Sequence, residues 1–243
     1  MTFRGNAPAV VRKMKGIPGG RGMRFPIRDE NLNAIGYLRG FDVFCLADSS
    51  LIETMARFRT LYRENFLSQF EATPENKRNW LRESVLANDR KMLFLVDTLE
   101  GKIMGQDGFT LNEDGRTFCL DGSMRWERGN GDLFQRGGIE RAAMGFFLLG
   151  REKCTVEVFK SNVIVVDNSL SAGFTIEKEF HLRVGRKDGV ISYSKEEDAN
   201  FVNTDAVLLS LALDRDRFAE TNRSIVENPC WSRENCGEEL VCD

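Results

Sequence analysis

The sequence lacks several features that would point to particular classes of protein. No apolar run reaches the roughly 18–20 residues that a membrane-spanning helix needs. The basic N-terminus is not followed by the apolar segment of a secretory signal. The formal net charge is only −3 over 243 residues, which predicts no strong attraction to nucleic acid or to an anionic membrane. We therefore expect a cytoplasmic protein that binds neither.

Metal-binding patterns are also missing. His181 is the only histidine, and no CxxC pair occurs. The six cysteines are Cys45, Cys119, Cys154, Cys230, Cys236 and Cys242. The first three lie in apolar surroundings typical of reduced core thiols, whereas the last three are spaced six residues apart without a nearby histidine. We expect core thiols in the first group, exposed thiols in the second, and no bound metal.

The composition that is present, 42% hydrophobic, is enough for one domain with a full core. Residues 1–33 are rich in Gly, Pro, Lys and Arg and show no apolar periodicity, so we predict a basic, flexible arm there. The folded domain is expected over residues 34–218. A polar, cysteine-containing tail is expected over residues 219–243.

Apolar periodicity and turn residues predict the element order β-αα-βββ-α-β-α-β-β. The predicted strands cover residues 40–47, 91–97, 102–111, 116–128, 154–159 and 174–183, and residues 190–194 and 207–213 are predicted as two further extended segments. The predicted helices cover residues 49–63, 73–88, 138–149 and 163–172. A Gly-rich loop, residues 129–131, follows the fourth of these strands.

The stretch from Thr155 to Phe174, TVEVFKSNVIVVDNSLSAGF, contains an apolar run, an Asn, a helical segment and Gly-Phe in succession. This succession resembles the last motif of the GNAT-type N-acetyltransferase superfamily. Arg59, Asn65, the TPE sequence that begins at Thr73, and Trp80 resemble one branch of it. That branch contains RimJ/RimL-like protein acetyltransferases and sugar-nucleotide amine acetyltransferases. The resemblance covers roughly residues 38–218.

The resemblance implies an α+β (mixed α/β) fold. Its central, mostly antiparallel mixed sheet would have about seven strands, splayed in the middle and flanked by about four helices. It also implies an acyl-CoA-dependent N-acyltransferase that uses acetyl-CoA as co-substrate and no metal, and it is compatible with a homodimer. The expected acceptor is the primary amine of a small molecule such as a nucleotide-linked amino sugar, and a protein or peptide N-terminus is the alternative. A non-catalytic acyl-CoA-binding module and an interaction protein without CoA are rivals from other classes.

The expected CoA site combines a loop, a strand and an Asn. Residues 135–139, QRGGI, resemble the family's phosphate-binding loop, although Glu140 replaces its final small residue and disfavours a nearby phosphate. Backbone groups of the strand ending near Glu127 would hold the pantetheine arm. A plain strand–helix connection and a helix cap are the structural alternatives. The expected CoA-binding residues are Met124, Trp126, Gln135, Arg136, Gly137, Gly138, Ile139 and Asn162.

Acetyl transfer needs a base, because only a neutral amine attacks the thioester. Glu127, His181 and Asp121 are the candidates, although each also fits an ordinary strand position. Ser169 stands where many relatives carry a Tyr near the thioester sulfur, and its hydroxyl is a poorer acid than a phenol. A capping or packing role is the alternative for Ser169.

The end of the first predicted domain helix carries the expected acceptor-binding residues. These are Arg59, Arg63 and Asn65. Basic side chains there would suit an acceptor that bears a phosphate or a carboxylate.

Overall fold

The computed structural model describes residues 6–17, 19–127, 129–196 and 202–231. The strands are β1 (Arg24–Arg28), β2 (Ala34–Gly40), β3 (Ser68–Gln69), β4 (Lys91–Thr98), β5 (Ile103–Leu111), β6 (Thr117–Arg125), β7 (Lys153–Phe159), β8 (Thr175–Lys187), β9 (Val190–Glu196) and β10 (Val207–Asp214). Within the described ranges they form one sheet in the order β1-β2-β4-β5-β6-β7-β10-β8-β9-β3. Every pair is antiparallel except β6 with β7.

Helices cover both faces of this sheet. They are α1 (Ala7–Met14), α2 (Val43–Ala47), α3 (Ser49–Leu61), α4 (Pro74–Trp80), α5 (Gly131–Ala143), α6 (Val163–Ser171), α7 (Arg215–Thr221) and α8 (Arg223–Glu227). A 3₁₀ turn spans Arg63–Asn65, and π-helical turns extend α4 over Leu81–Leu86 and α5 over Met144–Leu148. No helix in the part of the chain described here has the length and hydropathy of a membrane span.

The two larger hydrophobic clusters lie on opposite faces of the sheet. Alternate residues of β4 face opposite sides, because successive side chains of a strand do so. Leu93 and Leu95 pack with α2, α3 and the π turn after α4 on one face, whereas Phe94 and Val96 pack with α1 and α5 on the other. The mixed α/β class and the mostly antiparallel sheet are therefore confirmed, with ten strands in place of about seven.

The predicted strand at residues 40–47 is wrong. Strand β2 ends at Gly40, and Val43–Ala47 form the short helix α2. The carboxylate of Asp42 accepts hydrogen bonds from the backbone N–H groups of Cys45 and Gly22, at 2.7 and 2.9 Å. Because an N-cap Asp satisfies an orphan donor of the first helical turn, the four-residue apolar run VFCL becomes helical instead of extended.

The predicted flexible arm is wrong for the residues that the structure describes between 6 and 33. Helix α1 buries Val11 and Met14 completely, and β1 buries Phe25 and Ile27 completely. Strand β1 pairs with β2 at the edge of the sheet. This segment is therefore part of the hydrophobic core.

A buried ion pair ties β1 to α5. Arg28 donates from Nε to Glu140 Oε1 at 2.7 Å and from Nη2 to Glu140 Oε2 at 3.0 Å. Burial raises the pKa of Glu140, while the Arg28 guanidinium opposes that rise. Arg28 also donates to the backbone carbonyl of Asn228. The carboxylate that departed from the phosphate-loop pattern is thus a structural partner of the N-terminal strand.

The predicted polar tail is also wrong over residues 219–231. Helices α7 and α8 pack on the core through Phe218 and Ile225, and Cys230 is fully buried instead of exposed. The predicted exposed thiols of Cys236 and Cys242 lie outside the described residues. Cys45, Cys119 and Cys154 form no disulfide with a described residue, and the predicted burial is confirmed for Cys45 and Cys154, whereas Cys119 is partly buried.

Two buried lysines have different surroundings. Lys15 Nζ donates to the carbonyls of Val85 and Asn88, at 2.6 and 2.5 Å. Lys77 Nζ lies 4.3 Å from the centre of the Trp80 ring, and its side chain is almost completely buried. Burial, together with the nearby cations Arg59 and Lys91, lowers the pKa of Lys77 to about 7. Charged Lys77 therefore lowers the free energy of unfolding at neutral and acidic pH.

Replacing Lys77→Met should stabilise the protein below pH 7. The unfolded lysine holds its proton up to a pKa of about 10.4, so wild-type stability should rise with pH between about 7 and 10, and the variant should lack that rise. We expect a gain of roughly 2–4 kcal/mol at pH 6 that shrinks towards pH 10. Urea unfolding at pH 6, 7.5 and 9 measures it. The matched variant Lys15→Met should be destabilised, because two carbonyls lose their donor, and an equal loss in both variants would contradict the prediction.

Candidate functional site

The central feature of the sheet is a gap between β6 and β7. The two parallel strands pair only from Thr117 to Cys119 on β6 and from Lys153 to Thr155 on β7. Beyond this point β6 pairs only with β5, and β7 pairs only with β10. Each strand therefore presents a free edge of backbone N–H and C=O groups to a wedge-shaped opening. The splay predicted for the middle of the sheet is present.

The open end of the wedge leads directly to the N-terminus of α5. Strand β6 ends at Arg125, and α5 begins at Gly131 after the connection through Gly129 and Asn130. Both connecting residues have positive φ, 91° for Gly129 and 50° for Asn130. The first N–H groups of a helix have no partner within it, so this end of α5 is suited to bind an anion.

The loop–helix junction predicted at residues 135–139 is wrong. Residues 135–139 lie in the interior of α5, not before it. Gly137 is buried where an added Cβ would lie 3.5 Å from Ile27 Cδ1, and Arg136 pairs with Glu30 at 3.0 Å. Gln135, Gly138 and Ile139 are held in the same helical turns. Gly137 permits close packing of α5 on Ile27 of β1 and Leu38 of β2, whereas the free N–H groups of the helix begin at Gly131.

A cavity of about 520 Å³ lies between α3 and the end of β6. It is lined by Asp48, Ser50, Leu51, Thr54, Arg57, Phe58, Ile103, Trp126 and Glu127. Phe58 stacks on the buried Trp126 with ring centres 5.9 Å apart. Glu127 Oε2 lies 2.5 Å from Lys102 Nζ, in a pair that is about half exposed. Glu127 and Trp126 are thus the predicted residues that the structure brings to a cavity.

The chemistry at the narrow end of the wedge disfavours a thiolate nucleophile. Cys119 is the last β6 residue paired with β7. Burial raises the pKa of this thiol to about 11. The thiol is therefore protonated at neutral pH. Asp121, two residues on, is engaged by Lys91 Nζ and Thr110 Oγ1, both at 2.7 Å.

Two predicted residues lie beyond the end of β7. Asn162 precedes the first turn of α6, where its carbonyl accepts from Val165 and Val166 at 3.1 Å while its side chain makes no capping bond. Ser169 is buried in α6, and its hydroxyl donates to the carbonyl of Val165 at 2.8 Å. A role as an acid would require Ser169 Oγ to leave this bond.

His181 lies apart from Glu127. It is an exposed residue of β8, opposite Val207 on β10 and Glu196 on β9. Strand β8 is two positions beyond β7 in the sheet, about 10 Å away at the usual strand spacing. Glu127 follows β6 on the other side of the wedge, so the structure does not bring these two candidates together.

The predicted acceptor-binding residues lie outside the cavity lining. The Arg59 guanidinium lies 3.8 Å from the Phe66 ring centre and donates to the Ser68 carbonyl at 2.5 Å. Arg63 pairs with Glu71 at 3.3 Å, and Asn65 ends the 3₁₀ turn. These contacts arise because Arg59 and Arg63 point towards the segment that follows α3.

Sequence reasoning missed two charged residues that line the cavity, Arg57 and Asp48. Arg57 is two residues before Arg59 and lies on another side of α3, since residues two apart on a helix do not share a face. Asp48 caps α3 by accepting from the Leu51 N–H at 3.1 Å. An Asp before an apolar helical pattern is an ordinary N-cap signal, which would have found this residue.

Solved structures of acetyltransferases are similar to this one. No family model and no curated protein matches the sequence. An apo nucleotide-linked sugar GNAT, FdhC, matches with a TM-score of 0.55 at 16% identity, over 78% of this chain and 92% of its own. Spermidine N-acetyltransferase from Vibrio cholerae, in complex with CoA and spermine, matches with a TM-score of 0.57 at 14% identity. The match covers 76% of this chain and 99% of the other. A GNAT-family acetyltransferase from Bacillus anthracis matches with a TM-score of 0.57 at 12% identity, over 80% of this chain and 99% of the other.

The chain has the GNAT fold. The wedge between β6 and β7 corresponds to the predicted splay of this fold, and α5 follows it as the predicted helix does. Beyond the GNAT core predicted from sequence, the chain adds α1 and β1 at one edge and α7 and α8 after β10. Among the described residues, no group of His, Cys, Asp and Glu side chains is placed to hold a metal ion.

Proposed function

We propose that this protein is an acyl-CoA-dependent N-acetyltransferase that acetylates the primary amine of a small molecule. The observation that carries the proposal is the wedge between β6 and β7, whose free backbone edges lead to the N-terminus of α5. The GNAT fold supports it, since similar structures are N-acetyltransferases and one of them is a complex with CoA.

The residues around the wedge fit acetyl-CoA. Its pantetheine arm contains amides, which pair with a free strand edge such as that of Met124 and Arg125. Its pyrophosphate is an anion suited to the first turn of α5 at Gly131. Asn162 at the start of α6 remains a candidate contact on the opposite side of the wedge.

Direct transfer is the mechanism that these side chains favour. The neutral amine attacks the thioester carbon, the new C–N bond forms, the C–S bond breaks, and CoA leaves as the thiolate. Glu127 is the proposed base that accepts the proton of the amine, directly or through water, because it lines the cavity and is half exposed. The protonated thiol of Cys119 disfavours an acyl-enzyme.

Calorimetric titration with acetyl-CoA, with free CoA as control, tests the donor site. We expect micromolar binding and amine-dependent release of CoA thiol across a panel of amines. Binding without thiol release would favour a non-catalytic acyl-CoA-binding module, which the engaged hydroxyl of Ser169 also supports. Absence of binding would contradict both.

The cavity between α3 and β6 is the proposed acceptor site. Its Arg57 guanidinium suits a phosphate, and its carboxylates Asp48 and Glu127 suit an ammonium. A nucleotide-linked amino sugar carries both groups, so we retain it as the proposed acceptor and assign the anion contact to Arg57 in place of Arg59 and Arg63. A polyamine lacks the anionic group and would not need Arg57.

Substituting Arg57→Gln should raise KM for a nucleotide-linked amino sugar by at least about tenfold, because a charge-assisted contact to phosphate contributes about 1.5–3 kcal/mol. Affinity for acetyl-CoA should stay within twofold. Steady-state kinetics with both substrates varied measures the effect. The matched variant Arg63→Gln removes an exposed cation of the neighbouring turn that pairs with Glu71, and it should leave KM unchanged. Equal effects of the two variants would contradict the proposed acceptor site.

A further inference from the structure

Strand β6 contains a bulge just beyond the point where it parts from β7. Gly108 faces Asp121 and Gln106 faces Met124, so Asp107 lies opposite two residues, Gly122 and Ser123. Gly122 has a φ of 69°, which allows the extra residue to fit. The bulge re-aims backbone groups along the free edge of β6, on the side that faces the wedge.

Polar contacts hold this bulge from both faces of the sheet. On the α3 face, Gln106 Nε2 donates to the Gly122 carbonyl at 2.9 Å. On the α5 face, Arg141 Nη1 donates to the Gly108 carbonyl, and Arg141 Nη2 lies 3.0 Å from Asp107 Oδ1 and 3.3 Å from Ser123 Oγ. One guanidinium therefore contacts both strands at the point where their register shifts.

Burying Gln106, Asp107 and Arg141 costs stability, which a purely structural role does not explain. The side chains of Asp107 and Arg141 are 1% and 4% exposed. Burial raises the pKa of Asp107, against the opposing effect of Arg141. Gln106 Oε1 and Arg141 Nε are buried without a hydrogen-bond partner. Apolar side chains of similar size are often as stable as a buried ion pair, so a positional requirement is a better explanation of the cluster than stability.

We propose that Arg141 is a positioning residue for acyl transfer, which fixes the β6 bulge through Asp107, Gly108 and Ser123 so that free backbone groups of β6 meet the thioester. The inference rests on the proposed acetyltransferase function. Arg141 acts through the strand and lies on the α5 face of the sheet, whereas the acceptor cavity is lined by α3 on the other face. A small displacement of the bulge would therefore lower the rate of transfer more than the affinity for either substrate.

The double variant Asp107→Leu/Arg141→Met tests the inference. We expect kcat to fall at least tenfold, with the Kd of acetyl-CoA and the KM of the acceptor within threefold of wild type. The matched control is Arg28→Met/Glu140→Leu, which removes a second buried ion pair from the same helix without touching the bulge. The control should keep kcat within twofold.

Hydrogen exchange of β6 amides supplies a readout that needs no catalysis. Exchange over residues 120–125 should accelerate in the Asp107/Arg141 variant and stay unchanged in the control. Unchanged exchange there, an unchanged kcat, or an equal fall of kcat in the two double variants would overturn the inference. A wild-type protein that binds acetyl-CoA but shows no transfer to any amine would overturn the proposed function and, with it, this role.

A conservative variant keeps the test independent of folding. Arg141→Lys retains the positive charge but cannot contact Asp107, Gly108 and Ser123 together. It should give a kcat between those of wild type and the double variant, with unchanged substrate affinities. Full wild-type kcat in a folded Arg141→Lys protein would also overturn the inference.

Discussion

Deleting residues 1–28 should abolish folding of the domain. The deletion removes α1 and β1, whose Val11, Met14, Phe25 and Ile27 are completely buried. Burial of each such side chain contributes about 1.5–3 kcal/mol, so these four together match the 5–15 kcal/mol stability of a typical domain. Circular dichroism and soluble yield measure the loss.

Two point variants of α1 separate folding from a general effect of truncation. Val11→Asp places a carboxylate in the core and should cost at least about 3 kcal/mol. Arg12→Asp changes an exposed neighbour by a larger charge difference and should cost less than about 0.5 kcal/mol. If residues 6–28 formed a flexible arm, both variants would be neutral and the deletion would fold.

Substituting Gly131→Glu should weaken acetyl-CoA binding about 30-fold. Gly131 is the first residue of α5, where the proposed pyrophosphate site lies. A carboxylate at this position stabilises the helix but repels a phosphate, at an expected cost of about 2 kcal/mol. The fold should therefore persist while affinity falls, and calorimetry together with thermal unfolding separates the two effects.

The matched variant Gly138→Ala tests the phosphate loop as placed from sequence. An added Cβ at Gly138 has Arg141 Nη2 as its nearest neighbour, at 3.7 Å, which is ordinary contact. Because Ala is a better helix former, the variant should gain up to about 1 kcal/mol and bind acetyl-CoA normally. Weakened binding in Gly138→Ala with normal binding in Gly131→Glu would restore the original placement.

The fold could be predicted from sequence where a pattern was long and had one meaning. Strand β4, with its uninterrupted apolar run, and α4, with Thr73 as cap and Pro74 at its first position, lie where they were predicted. The run VFCL after Asp42 was too short for periodicity to separate helix from strand, and only the capping bond decides it.

The candidate site was harder to predict, since two pairs of glycines fit the pattern of a phosphate-binding loop. Gly129 and Gly131 flank the start of α5, whereas Gly137 and Gly138 lie inside it. Glycine in a sequence signals either a turn or close packing, and the partner against which Gly137 packs, β1, lay in the segment interpreted as an arm. The misplacement of the loop and of the arm is therefore one error.

The hydrogen bond from Arg28 to Asn228 joins residues 200 positions apart and sets an order for biosynthesis. A ribosome that adds 5–20 residues per second needs about 10–40 seconds between the two. During that interval the Arg28 guanidinium of the newly made β1 lacks the Asn228 carbonyl. Until residue 140 is synthesised, it also lacks Glu140. The native edge of the sheet therefore closes late in synthesis, and nascent chains stalled before residue 140 should be targets for chaperones.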